Sequence, residues 1–209
     1  MSANGTAGQP AGRAMSPAQQ RALAAIRGEL GRLARYDDES IVNDLWVRRR
    51  YDGGRFANYG EARRATVTTA WHEAGHAVAA LAVGARFRSA SIHPGRDTEG
   101  RVHGIRGTGD LAFVVDAAGQ IAERLMAWTM LSDDELREWL PSWRDDGGDA
   151  QRFRAAIRQR FGDDEFAAWR YSEEMLVPRR LEIRQVARAL LVHPRHIPEA
   201  VVAALAAGC

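Results

Sequence analysis

His72-Glu73-Ala74-Gly75-His76 places two histidines four residues apart with a glutamate beside the first. On a helix, residues i and i+4 stand one above the other. Both imidazoles can therefore offer a ring nitrogen to a single ion, and Glu73 is placed to take a proton from a water held there. Zn²⁺ suits such a set, because catalytic zinc takes three protein ligands at about 2.0–2.2 Å and keeps one position open. The surrounding stretch is apolar and rich in alanine, so three adjacent polar side chains would destabilise it unless something such as a metal satisfied them.

The third ligand decides the class of chemistry. A metzincin would need glycine and histidine where this chain has Ala79 and Ala82, which excludes that class. Spacing leaves two choices open: Glu123, within Ala118-Gly119-Gln120-Ile121-Ala122-Glu123-Arg124-Leu125, or an aspartate from the helix that begins near Gly147-Gly148-Asp149. His103 lies on a strand expected to border the cleft, where it could stabilise a tetrahedral intermediate. His93, His193 and His196 read as surface or hydrogen-bonded residues, and Trp128, Trp139, Trp143 and Trp169 as core and packing residues.

The elements that must position these groups follow from periodicity and punctuation. Ser16-Pro17 opens an amphipathic helix carrying Leu23, Ile26, Leu30 and Leu33 to about Arg35. A second helical piece with Ile41, Val42, Leu45 and Trp46 runs into Arg48-Arg49-Arg50, read as a solvated helix end. Thr69 is a possible cap for the motif helix, which passes through Trp71, Val78, Leu81 and Val83 and stops at Gly84. Phe87 to His93 and Arg101 to Ile105 read as a small hairpin. Helices then follow from Ala117 to Leu131, from Ser132 with Glu135 in capping-box position, and from Asp149 to Phe161. A long helix from about Asp163 to Val192 should kink at Pro178, and Ile197 to Leu205 closes the chain. The fold class is α+β and mostly helical. Residues 1–15 read as a disordered tail, 16–65 as a helical N-terminal extension and 66–209 as the domain that carries the zinc motif.

Composition narrows the functions available. All 29 basic residues are arginine, and without lysine no Walker phosphate loop can be built. A formal net charge of +2 asks for no nucleic-acid or other acidic partner. The lone cysteine, Cys209, permits neither an intrachain disulfide nor a cysteine-based zinc cluster. Ala77 to Ala85 is far shorter than the roughly 18 apolar residues needed to span a bilayer, and residues 1–15 hold no signal-like apolar run. A soluble, cytoplasmic protein is expected.

Four blocks together resemble the peptidase domain of FtsH-type proteases: His72 to Ala80, Ala90-Ser91-Ile92-His93-Pro94, Ala118 to Leu125, and Gly147-Gly148-Asp149-Ala150-Gln151-Arg152. The resemblance runs from about Thr66 to Leu205. It implies that Asp149 is the third ligand and that Glu123 orients a ligating histidine. The chain departs from the family at Gly100-Arg101-Val102 on the substrate-edge strand and at Arg144, Asp145 and Asp146 before Asp149; residues 1–65 are too short for the family's ATPase module or membrane anchor, so neither is expected in these residues. The expected activity is zinc-dependent endopeptidase cleavage, ATP-independent in itself. Its substrates would be flexible polypeptides, or ones delivered by a separate ATPase or adaptor. The competing reading is a catalytically silent zinc-binding module on the same fold; retention of Glu73 argues against it, since zinc binding alone needs no general base.

Overall fold

A computed structural model describes residues 14–42, 47, 58–93, 100–143 and 148–208. Most of the expected tail and the Arg48-Arg49-Arg50 run, with Leu45 and Trp46 before it, lie outside the described residues.

Helix α1 (Pro17–Arg32) starts where proline at its first position removes an N–H that has no intrahelical partner, and Ser16 accepts from the Gln19 backbone. It buries Leu23, Ile26 and Leu30. The central helix α2 (Tyr59–Ala82) is longer than expected. Asn58 caps it, accepting from Glu61 N at 2.9 Å, so the expected boundary at Thr66 falls inside the helix. Thr69 is not a cap. Its hydroxyl donates to Ala65 O at 2.8 Å, as Thr66 does to Ala62 O, and these side chains satisfy themselves on the preceding turn.

The sheet is three-stranded and antiparallel, in the order β2-β1-β3, and comprises β1 (Ser89–Ser91), β2 (Arg101–His103) and β3 (Ile197–Pro198). The hairpin was legible from the turn-rich segment between its arms. The third strand was not, because two residues carry no period. Ile197 pairs with Ala90 and buries its side chain.

Helix α3 (Ala112–Ala127) follows a 3-10 turn at Gly109–Leu111 and begins a turn earlier than expected. Phe113 and Val114, both fully buried, extend its apolar face. It ends at Trp128, whose backbone is left-handed, with φ of 55°. That conformation turns Trp128 out to 73% exposure, under the Arg180 guanidinium, so it is not the core residue expected. Trp139, Trp143 and Trp169 do pack together, with ring centroids 5.2–5.7 Å apart.

Helix α4 (Asp133–Trp139) carries the Ser132/Glu135 capping box, and α5 (Asp149–Phe161) follows. Pro178 breaks the expected long helix into α6 (Glu165–Leu176) and α7 (Arg180–Val192), joined by a 3-10 turn at Val177–Arg179. Proline lacks the N–H that would continue the ladder and clashes with the carbonyl a turn earlier. Helix α8 (Glu199–Ala206) closes the described chain. The architecture is therefore a mostly helical α+β fold with a small antiparallel sheet. Helix α2 lies at its centre, packed mainly on α3 and α7, while α1 lies against α7 and α8. Arg27 donates to Ala204 O at 2.7 Å and Arg188 to Leu33 O at 2.6 Å, tying α1 and its end to those helices.

The contact between α2 and α3 is backbone-close. A Cβ on Gly75 would collide with Ala118 O and stand 2.7 Å from Ala122 Cβ. Alanine is intrinsically better than glycine in a helix by about 1 kcal/mol. At Gly75, however, the neighbour that must yield is main chain, and overpacking costs roughly 1–3 kcal/mol. Gly75→Ala should therefore lower the thermal midpoint. Gly28→Ala on α1, where nothing lies within 4 Å of the added methyl, should raise it. Equal or higher stability of Gly75→Ala would contradict the close packing.

Candidate metal centre

Helix α2 delivers His72 and His76 to the same side, one turn apart. Their Nε2 atoms stand 3.0 Å from each other, and Asp149 Oδ2 stands 3.2 Å from each. The rings are edge to face, with centroids 4.7 Å apart. Each is tethered from behind by its other nitrogen. His76 Nδ1 donates to Val115 O at 2.7 Å, and since a carbonyl only accepts, the proton sits on Nδ1. His72 Nδ1 is 2.7 Å from Glu123 Oε1, which fixes the same tautomer.

The consequence is electrostatic. With both imidazoles neutral, two lone pairs and a carboxylate oxygen converge with no hydrogen between them. A proton can bridge one pair of the three; a divalent ion satisfies all of them. His72, His76 and Asp149 form a cluster geometrically suited to a divalent cation such as Zn²⁺, and two nitrogens with one oxygen match a catalytic zinc donor set. The field of the pocket agrees. Burial works against charge on His72, but hydrogen bonds to Asp149 and Glu123 overcome it and raise the pKa to about 10. His76 is likewise raised: burial and the neighbouring His72 work against its charge, and the hydrogen bond to Asp149 together with the charges of Asp149 and Glu73 outweighs them. Asp149 is held below the usual carboxylate range in spite of burial, by its hydrogen bonds with the two histidines. The pocket favours positive charge.

Asp149 reaches the cluster because Gly148, with φ of 77°, turns the chain sharply into α5 and sets the carboxylate at the helix entrance. Its Oδ1 accepts from Arg152, one turn further on, and Arg152 Nε donates to Asp116 Oδ1 on α3 at 3.1 Å. Burial raises Asp116 to about 6, against the pull of Arg152.

Glu73 points away from α3, towards β2. It is buried, and burial raises its pKa over the opposing effect of the two histidines. The nearby Val102 backbone N–H also works, weakly, against that rise. A Cβ on Gly100 would stand 2.7 Å from Glu73 Cγ and 2.9 Å from Oε1, so a glycine is what allows the chain entering β2 to lie on this carboxylate.

Of the residues singled out by spacing, His72, His76 and Asp149 converge, Glu73 adjoins them, and Glu123 stands behind His72. His103 turns to the other face of the sheet. Its Nε2 is 3.4 Å from Ser91 Oγ and its ring 5.0 Å from that of His196. Burial, His196 and the nearby Arg101 and Arg88 all lower its pKa. Sequence reasoning passed over Val115, Asp116, Arg152 and Gly119. Gly119 matters most: a Cβ there would overlap the His72 ring. An isolated glycine within a helical pattern was the available signal, because it costs about 1 kcal/mol without a packing reason.

A helix-borne HExxH pair completed by an aspartate from a later helix is a candidate zinc-metallopeptidase centre. A family model described as Peptidase M50B-like matches residues 62–133, which take in His72, Glu73, His76 and Glu123 but stop short of Asp149. This corrects the expected kinship with FtsH-type proteases. The blocks that carried it are short, and three of the four surround the metal grip itself, an HExxH helix against a glycine-bearing partner and an aspartate from a later helix; such a grip does not separate one zinc-peptidase family from another. No curated protein and no solved structure matches the chain. No helix among the described residues is long and apolar enough to cross a membrane.

Two outcomes follow for metal content. Gly119→Ala should displace the His72 ring and strip most of the zinc from the purified protein; stoichiometric zinc in that variant would contradict the contact. Asp149→Ala should lose zinc as severely as His76→Ala, whereas Glu123→Ala should weaken binding roughly 10–100-fold, the usual effect of removing a partner behind a ligand. Competition with a chromophoric chelator measures both, and the reverse order would exchange the two carboxylates' roles.

Proposed function

We propose that this chain is a zinc-dependent metallopeptidase, with His72, His76 and Asp149 holding the ion and Glu73 as general base. The observation that carries the reading is the position of Glu73: a buried carboxylate beside the ligand cluster and against β2, one of the two edge strands of the sheet. Metal storage or structural zinc has no use for such a group.

Bound Zn²⁺ supplies Lewis-acid polarisation of a carbonyl and acidification of water. The remaining work falls to the chain. Glu123 and Val115 O keep Nδ1 of each histidine protonated, so that Nε2 stays a donor of electrons. Glu73, its proton affinity raised by burial, accepts a proton on its carboxylate and later delivers it to the leaving amine. An extended peptide adds alongside β2, its main chain supplying the hydrogen bonds that an edge strand leaves open. Such a substrate must be flexible or already unfolded, which makes it an exposed segment or a polypeptide handed over by a separate ATPase or adaptor.

Glu73→Gln should cut hydrolysis of an unstructured protein such as casein by at least the roughly 10²–10⁴-fold typical of lost general-base catalysis, with zinc content unchanged. A chelator should stop the wild type. Undiminished cleavage by a zinc-loaded Glu73→Gln protein would rule out Glu73 as the base.

A further inference from the structure

We propose that Arg152 is a positioning residue of the metal centre, holding Asp149 to ligation through a single oxygen, with Asp116 as the anchor that fixes Arg152. This rests on the zinc reading above.

The two oxygens of Asp149 have different partners. Oδ2 faces the imidazoles at 3.2 Å from each Nε2, whereas Oδ1 takes an Nη2–H of Arg152. The same guanidinium uses its Nε–H on Asp116 Oδ1 at 3.1 Å. Asp149 and Arg152 lie on α5 and Asp116 on α3, so one planar fork spans carboxylates from two helices. Asp116 has a side chain only 15% exposed and Asp149 one of 6%. Carboxylates so buried are costly without a cation, and Arg152 is the cation that both touch.

The arrangement has a consequence for the ion. A carboxylate whose second oxygen is free can swing it onto the metal and fill the position that a catalytic site keeps open. With Oδ1 held by Arg152, only Oδ2 is available. An ordinary i,i+3 surface pair would contribute a few tenths of a kcal/mol to helix stability and nothing to the metal; a clamp changes what the metal sees.

The test compares wild type, Arg152→Gln, Arg152→Lys and Asp116→Asn, each checked for folding by circular dichroism. Zinc affinity is measured by chelator competition, and the visible spectrum is recorded with Co²⁺ in place of zinc. Arg152→Gln should bind zinc roughly 10–100-fold more weakly. Its Co²⁺ absorption should also fall, because the released Oδ1 raises the coordination number and four-coordinate Co²⁺ absorbs more strongly than five-coordinate. Arg152→Lys keeps the charge but cannot bridge both carboxylates, so its spectrum should change in the same direction. Asp116→Asn should show a smaller change of the same kind, and it carries the test alone if neither Arg152 variant folds. Affinity within twofold of wild type with an unaltered Co²⁺ spectrum would overturn the clamp, as would full recovery by lysine. A wild type that holds no zinc would overturn the metal centre itself, and this inference with it.

Discussion

Two imidazole lone pairs and one carboxylate oxygen are held at about van der Waals distance from each other, and the surroundings of the site can be understood as the cost of keeping them there. Like electron pairs repel, so each donor must be restrained from behind. Val115 O and Glu123 restrain the histidines through Nδ1, and Arg152 restrains the aspartate through Oδ1. Every restraint comes from α3 or α5, which makes the spacing of these helices against α2 the variable that matters.

That spacing is set by missing side chains. Gly75 lets the α3 backbone approach α2, and Gly119 leaves the room that the His72 ring occupies. Larger residues at either position would push the helices apart or turn a ligand away. On the opposite side Gly100 plays the same part for Glu73, bringing β2 down onto the carboxylate. The site is thus enclosed between two helices and a strand that approach it where there is no Cβ. Burial follows from the enclosure, and burial is what raises the proton affinity of Glu73 towards that of a useful base.

The metal grip was legible in the sequence because its logic is local: i and i+4 on a helix share a face whatever surrounds them. Helix starts marked by Ser16 and Ser132, the break at Pro178 and the turn at Gly148 were legible for the same reason, each being settled by the chemistry of a few neighbouring residues. The choice between Glu123 and Asp149 was not local, since it depends on which side of the His72 ring each carboxylate reaches once α3 and α5 have packed. Spacing could not decide it. Nor could it find β3, whose two residues join the sheet only because α7 returns the chain beside β1, or the start of α2, where Asn58 caps the helix long before the texture of the sequence changes. The exposure of Trp128 is a further case. Its size argues for burial, and the left-handed backbone at the end of α3 overrides that argument.

The central claim is that the three convergent donors hold one zinc ion. The most direct measurement is a crystal structure of the purified protein with anomalous differences collected on both sides of the zinc edge. A single strong peak is expected about 2.0–2.2 Å from His72 Nε2, His76 Nε2 and Asp149 Oδ2, with Glu123 still on His72 Nδ1. No peak between these residues in zinc-supplemented crystals, or an ion ligated by Glu123 with Asp149 turned away, would contradict the account.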